Sequence, residues 1–221
     1  MNLRLLYLDE LKGYYKSKVM IILWMGLPFL SVFFSSFNFE TDGVPLSYLV
    51  GILIASIGGT LSSVMLSTSI TSELNRHVYD LFLIRPIKRY FILIAKFLAV
   101  YTCIVIATCI SLSLGLFIDY IKGTLTNISI VLHTFESLIF TLAAIAIACS
   151  AGILIGISVT NVAASAILSV YLGSQLSIIS VLPSLILPNI INPLVLGIVV
   201  GSSVSPTLLT IAIHLFNKKQ L

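Results

Sequence analysis

The sequence predicts an all-α integral membrane protein. It would have six transmembrane helices, an amphipathic interfacial helix ahead of them, and both termini on the cytoplasmic side. Composition, run length and charge placement predict it. The chain of 221 residues is 58% hydrophobic and 9% charged, with a mean hydropathy of +1.14, whereas a soluble domain carries about 25% charged residues. Too little polar surface is available to cover such a chain in water, so its solvent is largely lipid. The apolar runs are long and continuous rather than short and alternating, which selects helices over barrel strands. Six spans of roughly 20 residues leave short loops and no separate soluble domain, so residues 1–221 read as a single transmembrane domain.

Residues 1–18 open the chain as an interfacial helix. Leu3, Tyr7, Leu11 and Tyr14 share one face, and Asp9, Lys12 and Lys16 lie opposite, the pattern of a helix in the headgroup plane. The charged stretch is too long for a signal peptide, and no small-residue cleavage site follows. The first span is predicted over 19–37, with Trp24 and Pro28 inside it. A loop bearing Glu40, Asp42, Gly43 and Pro45 follows. The second span, 46–71, carries Gly51, Ser56, Gly58, Gly59, Ser62 and Ser63, small residues that let helices approach closely in lipid. A charged segment separates it from the third span, 90–118. The apolar stretch from Ile128 to about Leu182 is too long for one span, so it breaks at Ser158–Asn161 into spans at 130–157 and 162–181. The segment 182–193, with Pro183, Pro188 and Pro193, is apolar yet helix-breaking, and is expected to form one or two short helices buried at the outer face. The last span covers 194–216.

With six spans and both termini inside, 11 of the 12 Lys and Arg residues fall on the inner side, and only Lys122 lies outside. That is the positive-inside pattern, and it places the chain in a cell membrane as a multi-pass protein. It also accounts for the net charge of +4 without nucleic acid as a partner. Cys103, Cys109 and Cys149 fall in apolar runs with no metal or disulfide spacing.

Glu73, Arg76, Asp80, Arg85, Lys88, Arg89 and Lys96 place 7 of the 20 charged residues in one inner segment. Leu74, Val78 and Leu81 recur at i, i+4 and i+7, with Glu73, Arg76, His77 and Asp80 on the remaining surface, which predicts an amphipathic helix along the inner leaflet. Pro86 marks its end, with Ile84 and Arg85 extended before it. Lys96 is long enough to snorkel back to the interface. A short cytoplasmic helix tied to two spans can pass motion from a docked protein to the bundle; the same charges also serve orientation alone.

The spacing of Glu73, Leu81, Pro86, Arg89 and Lys96 resembles the signature of ABC-2 type permeases, the membrane subunits of ATP-binding-cassette exporters. His77-Val78 and Asn75 stand where that family often has Gly-Thr and a second acidic residue. The segment with Pro183, Pro188 and Asn192-Pro193 also resembles the family's proline-rich stretch before the last span. The resemblance implies a second permease copy or homologue beside this chain and two ATPase subunits beneath it. The segment 73–89 would be the coupling loop, with Glu73, Leu74, Arg76, His77, Asp80, Leu81, Arg85, Pro86, Arg89 and Lys96 as coupling residues. Thr160–Asn161 would be a minor second contact. No G-x-x-x-x-G-K-[ST] phosphate loop occurs, so no cofactor is expected in this chain, and ATP and Mg would sit in the partner.

His133 and Glu136 form an i, i+3 pair near the outer end of the fourth span. Ionisable groups in a span are costly and often functional, so the pair is either a wetted edge or part of a path; two ligands do not make a metal site. No G-x-S-x-G occurs, so this is not read as an enzyme. A channel or secondary transporter would require intramembrane charges or an inverted repeat, and a non-transporting assembly factor is a third class. An ATPase that co-purifies with the chain separates them.

Overall fold

The computed structural model describes residues 3–36, 46–76, 89–121, 128–186 and 193–218. Among them every regular element is a helix: α1 (Leu3–Tyr15), α2 (Lys18–Ser36), α3 (Leu46–Asn75), α4 (Arg89–Ile121), α5 (Ile128–Ser158), α6 (Val162–Ile186) and α7 (Pro193–Lys218). Four of them, α3, α4, α5 and α7, contain stretches long and apolar enough to cross a membrane by length and composition. A fifth is reached if α1 and α2, bent by 67°, count as one span.

Side-chain contacts give the direction of each helix. Along α3 and α5, Gly51 meets Ser137, Ser63 meets Gly152 and Ser67 meets Gly156; the numbers rise together, so these helices are parallel. Lys96 reaches Glu73 and Ile104 lies beside Gly58, so α4 runs against α3. Trp24 donates to the Cys103 carbonyl at 3.1 Å, and Ser111 to the Leu27 carbonyl at 2.8 Å, so α2 is parallel to α4. Thr71 bonds Ser165 and Gly173 faces Ser63, so α6 opposes α3. Gly197 faces Phe140, Gly201 faces Ala143 and Ser205 bonds the Ala146 carbonyl, so α7 follows α5. Helices α2 to α7 therefore alternate in direction. One end of the bundle gathers the start of α2, the ends of α3 and α5, the starts of α4 and α6, and the end of α7.

The tightest seam joins α3 and α5. A Cβ on Gly152 would lie 2.5 Å from the Ser63 carbonyl oxygen, and one on Gly156 2.9 Å from that of Ser67. Without an apolar-to-water driving force between helices in lipid, such close backbone approach supplies the packing energy. Hydroxyls stitch the same seam: Thr71 donates within reach of the Gly156 carbonyl at 3.0 Å, and Thr141 of the Gly51 carbonyl at 3.0 Å. Leu66, Ile70, Leu93, Ile104, Ile145 and Ile153 form the centre of the apolar core.

The structure revises three expectations. Helix α3 does not stop near residue 71: it runs to Asn75, and the Arg76 amide still bonds the Ser72 carbonyl at 3.1 Å. Glu73 and Leu74 are thus its last turn and not the first turn of a separate surface helix. The reason is packing, since Leu74 is buried in the core. Helix α6 continues past Pro183 to Ile186, so the first residues of the 182–193 segment are helical, while 187–192 lie outside the described residues. Finally, α1 is not only an interfacial helix. Tyr7, Leu11 and Tyr14 pack on the core and Leu6 is buried in it, and α1 lies against α4, with Asp9, Lys12 and Lys16 exposed as expected.

Candidate functional site

The charged end of the bundle holds a closed ring of polar side chains from three helices. Lys96, in the second turn of α4, bonds Glu73 of α3 at 2.7 Å and Glu10 of α1 at 2.9 Å. Ser69, one turn before Glu73 on α3, donates to the Glu73 carboxylate at 3.0 Å. Tyr14, one turn after Glu10 on α1, donates to Ser69 at 3.3 Å. Each helix contributes by its own periodicity: positions i and i+4 share a face, so Glu10 and Tyr14 align on α1 as Ser69 and Glu73 do on α3.

Lys96 does not snorkel to the interface. Its side chain is 3% exposed, while the two carboxylates keep about a quarter of theirs (24% and 25%). An ammonium this enclosed is stable only with its hydrogen bonds satisfied by charged acceptors, and two carboxylates from different helices supply them. Burial raises the Tyr14 phenol above its ordinary range, so Tyr14 stays a neutral donor in the ring.

A second set of bonds ties the same end of α3 to α5 and α6. Asn75 donates to the Thr160 carbonyl in the α5–α6 turn at 2.8 Å. One turn earlier Thr71 bonds the Gly156 carbonyl and Ser165. Asn161 caps α6, its side-chain oxygen accepting from the Ala163 amide at 2.9 Å, as N-cap residues do. The last two turns of α3 are therefore held by α1, α4, α5 and α6 together, while Arg76, Ser158, Thr160 and Asn161 remain exposed around them.

Of the residues singled out in the sequence, Glu73, Leu74 and Lys96 come together here, and Arg76 sits at the rim. Arg89 is the first residue of α4; its side chain, like all of His77, Asp80, Leu81, Arg85 and Pro86, lies outside the described residues. His133 and Glu136 lie in the first turns of α5 at the opposite end of the bundle. Glu136 is half-buried there between buried Thr134 and Ser137, and the His133 side chain is outside the described residues. Sequence reasoning missed Glu10, Tyr14 and Ser69. Their signal was present in part: Tyr14 falls on the apolar face of α1, and Glu10 on that same side, where a charge needs a partner.

No protein-family model matches the chain, and no curated protein matches it significantly.

Proposed function

We propose that the chain is the membrane-spanning permease subunit of an ATP-driven exporter of the ABC-2 type, powered by separate ATPase subunits. The observation that carries this reading is the way the end of α3 is fixed. Segment 77–88 leaves from a post clamped by Lys96 and Glu10 on one side and by Asn75–Thr160 on the other. Force applied to that segment would reach α1, α4, α5 and α6 without being lost in a loose joint. The two expected contacts with an ATPase, segment 73–89 and the Thr160–Asn161 turn, are joined by the hydrogen bond from Asn75 to the Thr160 carbonyl.

Other features support the same reading. The alternation of α2 to α7 fits six spans, with the charged end cytoplasmic by the positive-inside rule. Helices α2 and α6 expose broad apolar faces, including Ile22, Met25 and Phe29 on one and Ile167 and Tyr171 on the other. A second permease copy or lipid would cover them. An apolar groove of about 450 Å³ runs beside Phe97, Tyr101, Ala143 and Gly201, which fits a hydrophobic or amphipathic cargo. ATP and Mg belong to the partner in this reading.

In this reading Glu73, bonded by Lys96 and Ser69, acts as a positioning residue, and docking falls to the charged residues that follow Arg76 in the sequence. Affinity purification from native membranes tests this. Wild-type chain should bring down an ATPase, and Asp80→Ala should reduce the retained amount while leaving membrane insertion intact. Transport by the purified chain with no ATPase present would instead establish a channel or secondary transporter.

A further inference from the structure

We infer that Glu10 is a positioning residue for coupling, and that α1 moves with the inner end of α3 as one unit during the transport cycle; this rests on the exporter reading above. The ring closes from α1 back to α1, through Tyr14, Ser69, Glu73, Lys96 and Glu10. Helix α1 therefore grips α3 and α4 at two points one turn apart, and a third bond, Tyr7 to Thr102 at 3.1 Å, fixes it farther along α4. Displacement of Glu73 has to break a charge-assisted bond to a buried ammonium or drag Lys96, and with it Glu10. Charge-assisted bonds are roughly twice as strong as neutral ones, and a buried polar network is costly when half satisfied, so dragging is favoured. A tight turn links α1 to α2, with the Ser17 amide bonded to the Tyr14 carbonyl at 2.9 Å. Motion of α1 is thereby passed on to the first membrane helix. An apolar residue at position 10 would bury α1 equally well, but it would leave only the neutral Tyr14–Ser69 and Tyr7–Thr102 bonds to draw α1 along when α3 shifts.

The test uses the full chain with its co-purified ATPase in nanodiscs, reading Mg-ATP hydrolysis per retained ATPase together with thermal stability of the complex. Glu10→Gln is expected to retain the ATPase and its stability but to lower permease-dependent stimulation about five-fold, the low end of coupling between sites. Glu10→Asp, which keeps a carboxylate toward Lys96, is expected to keep more of it than Glu10→Gln. Asp9→Asn, on the exposed face of the same helix, should change nothing. Wild-type stimulation in Glu10→Gln, an equal loss in Asp9→Asn, or release of the ATPase at unchanged stability would overturn the inference while leaving the exporter reading in place. If Glu10→Gln cannot be purified, Tyr14→Phe decides, since it opens the ring without removing a charge; a partial loss supports the inference and wild-type stimulation overturns it. If wild-type chain retains no ATPase, the exporter reading fails, and the inference fails with it.

Discussion

Replacing Lys96 by Met removes the cation that lies between Glu10 and Glu73 and leaves two carboxylates facing each other at the edge of the apolar core. Breaking a buried pair from one side costs about 3–5 kcal/mol. Here both carboxylates keep about a quarter of their surface, so a loss of about 2–3 kcal/mol is expected on the same principle. Lys96→Met should therefore lower detergent stability, and adding Glu10→Gln and Glu73→Gln to it should recover most of the loss; thermal unfolding of the purified chain followed by size exclusion checks both. The pairing of Glu73 with Lys96 could be anticipated from the sequence only as a shared motif, because their spacing crosses the charged segment. The place of Glu10 could not. Residue periodicity says which side of α1 a carboxylate occupies, but the helix that meets that side is decided by the 67° bend between α1 and α2, which no local pattern encodes.

At the level of helices, the sequence shows where apolar stretches lie and leaves open how closely they pack. The small residues of α3 were readable as a packing face, yet their partner is set by the close approach of Gly152 and Gly156 on α5. Gly152→Ala would press a methyl group into the Ser63 backbone, which can yield only if the two helices separate. Overpacking of this kind costs about 1–3 kcal/mol. Gly26→Ala on α2, where nothing lies within 4 Å of the added methyl, should be neutral. Unfolding of the two variants in parallel distinguishes a general intolerance of Gly→Ala from the specific seam, and equal stabilities would sink the seam argument. The same logic explains why α3 outlasts its predicted end. Polarity at Ser72–Asn75 suggested an exit from the membrane, but Leu74 has a core site and Asn75 a carbonyl to bond, so helical continuation satisfies more groups than a turn would.

For the whole molecule, alternation of helix direction and asymmetry of charge are independent observations that agree. Contacts alone put the start of α2, the end of α3, the start of α4 and the end of α7 at one end, and among the described residues Lys18, Arg76, Lys96 and Lys218 lie at those helix ends. Span number was less legible. The windows of α3, α4, α5 and α7 pass by length and composition, while α2, at 19 residues, is short and joined to a polar helix, and α6 begins in the polar turn at Thr160–Asn161. Whether α2 and α6 cross is decided by the neighbours they pack on, α4 and α3, which themselves run the full height of the bundle. If all six cross with the charged end inside, Tyr120, exposed at the far end of α4, and Asn217, exposed at the near end of α7, lie on opposite sides. In a background with Cys103, Cys109 and Cys149 replaced, Tyr120→Cys in intact cells should react with a membrane-impermeant maleimide, and Asn217→Cys should react only after lysis. Labelling of both from outside would mean an even number of crossings between the two sites, so that one of α5, α6 and α7 does not cross. The charge asymmetry would then need a different origin, and a cytoplasmic docking role for the end of α3 would fall with it.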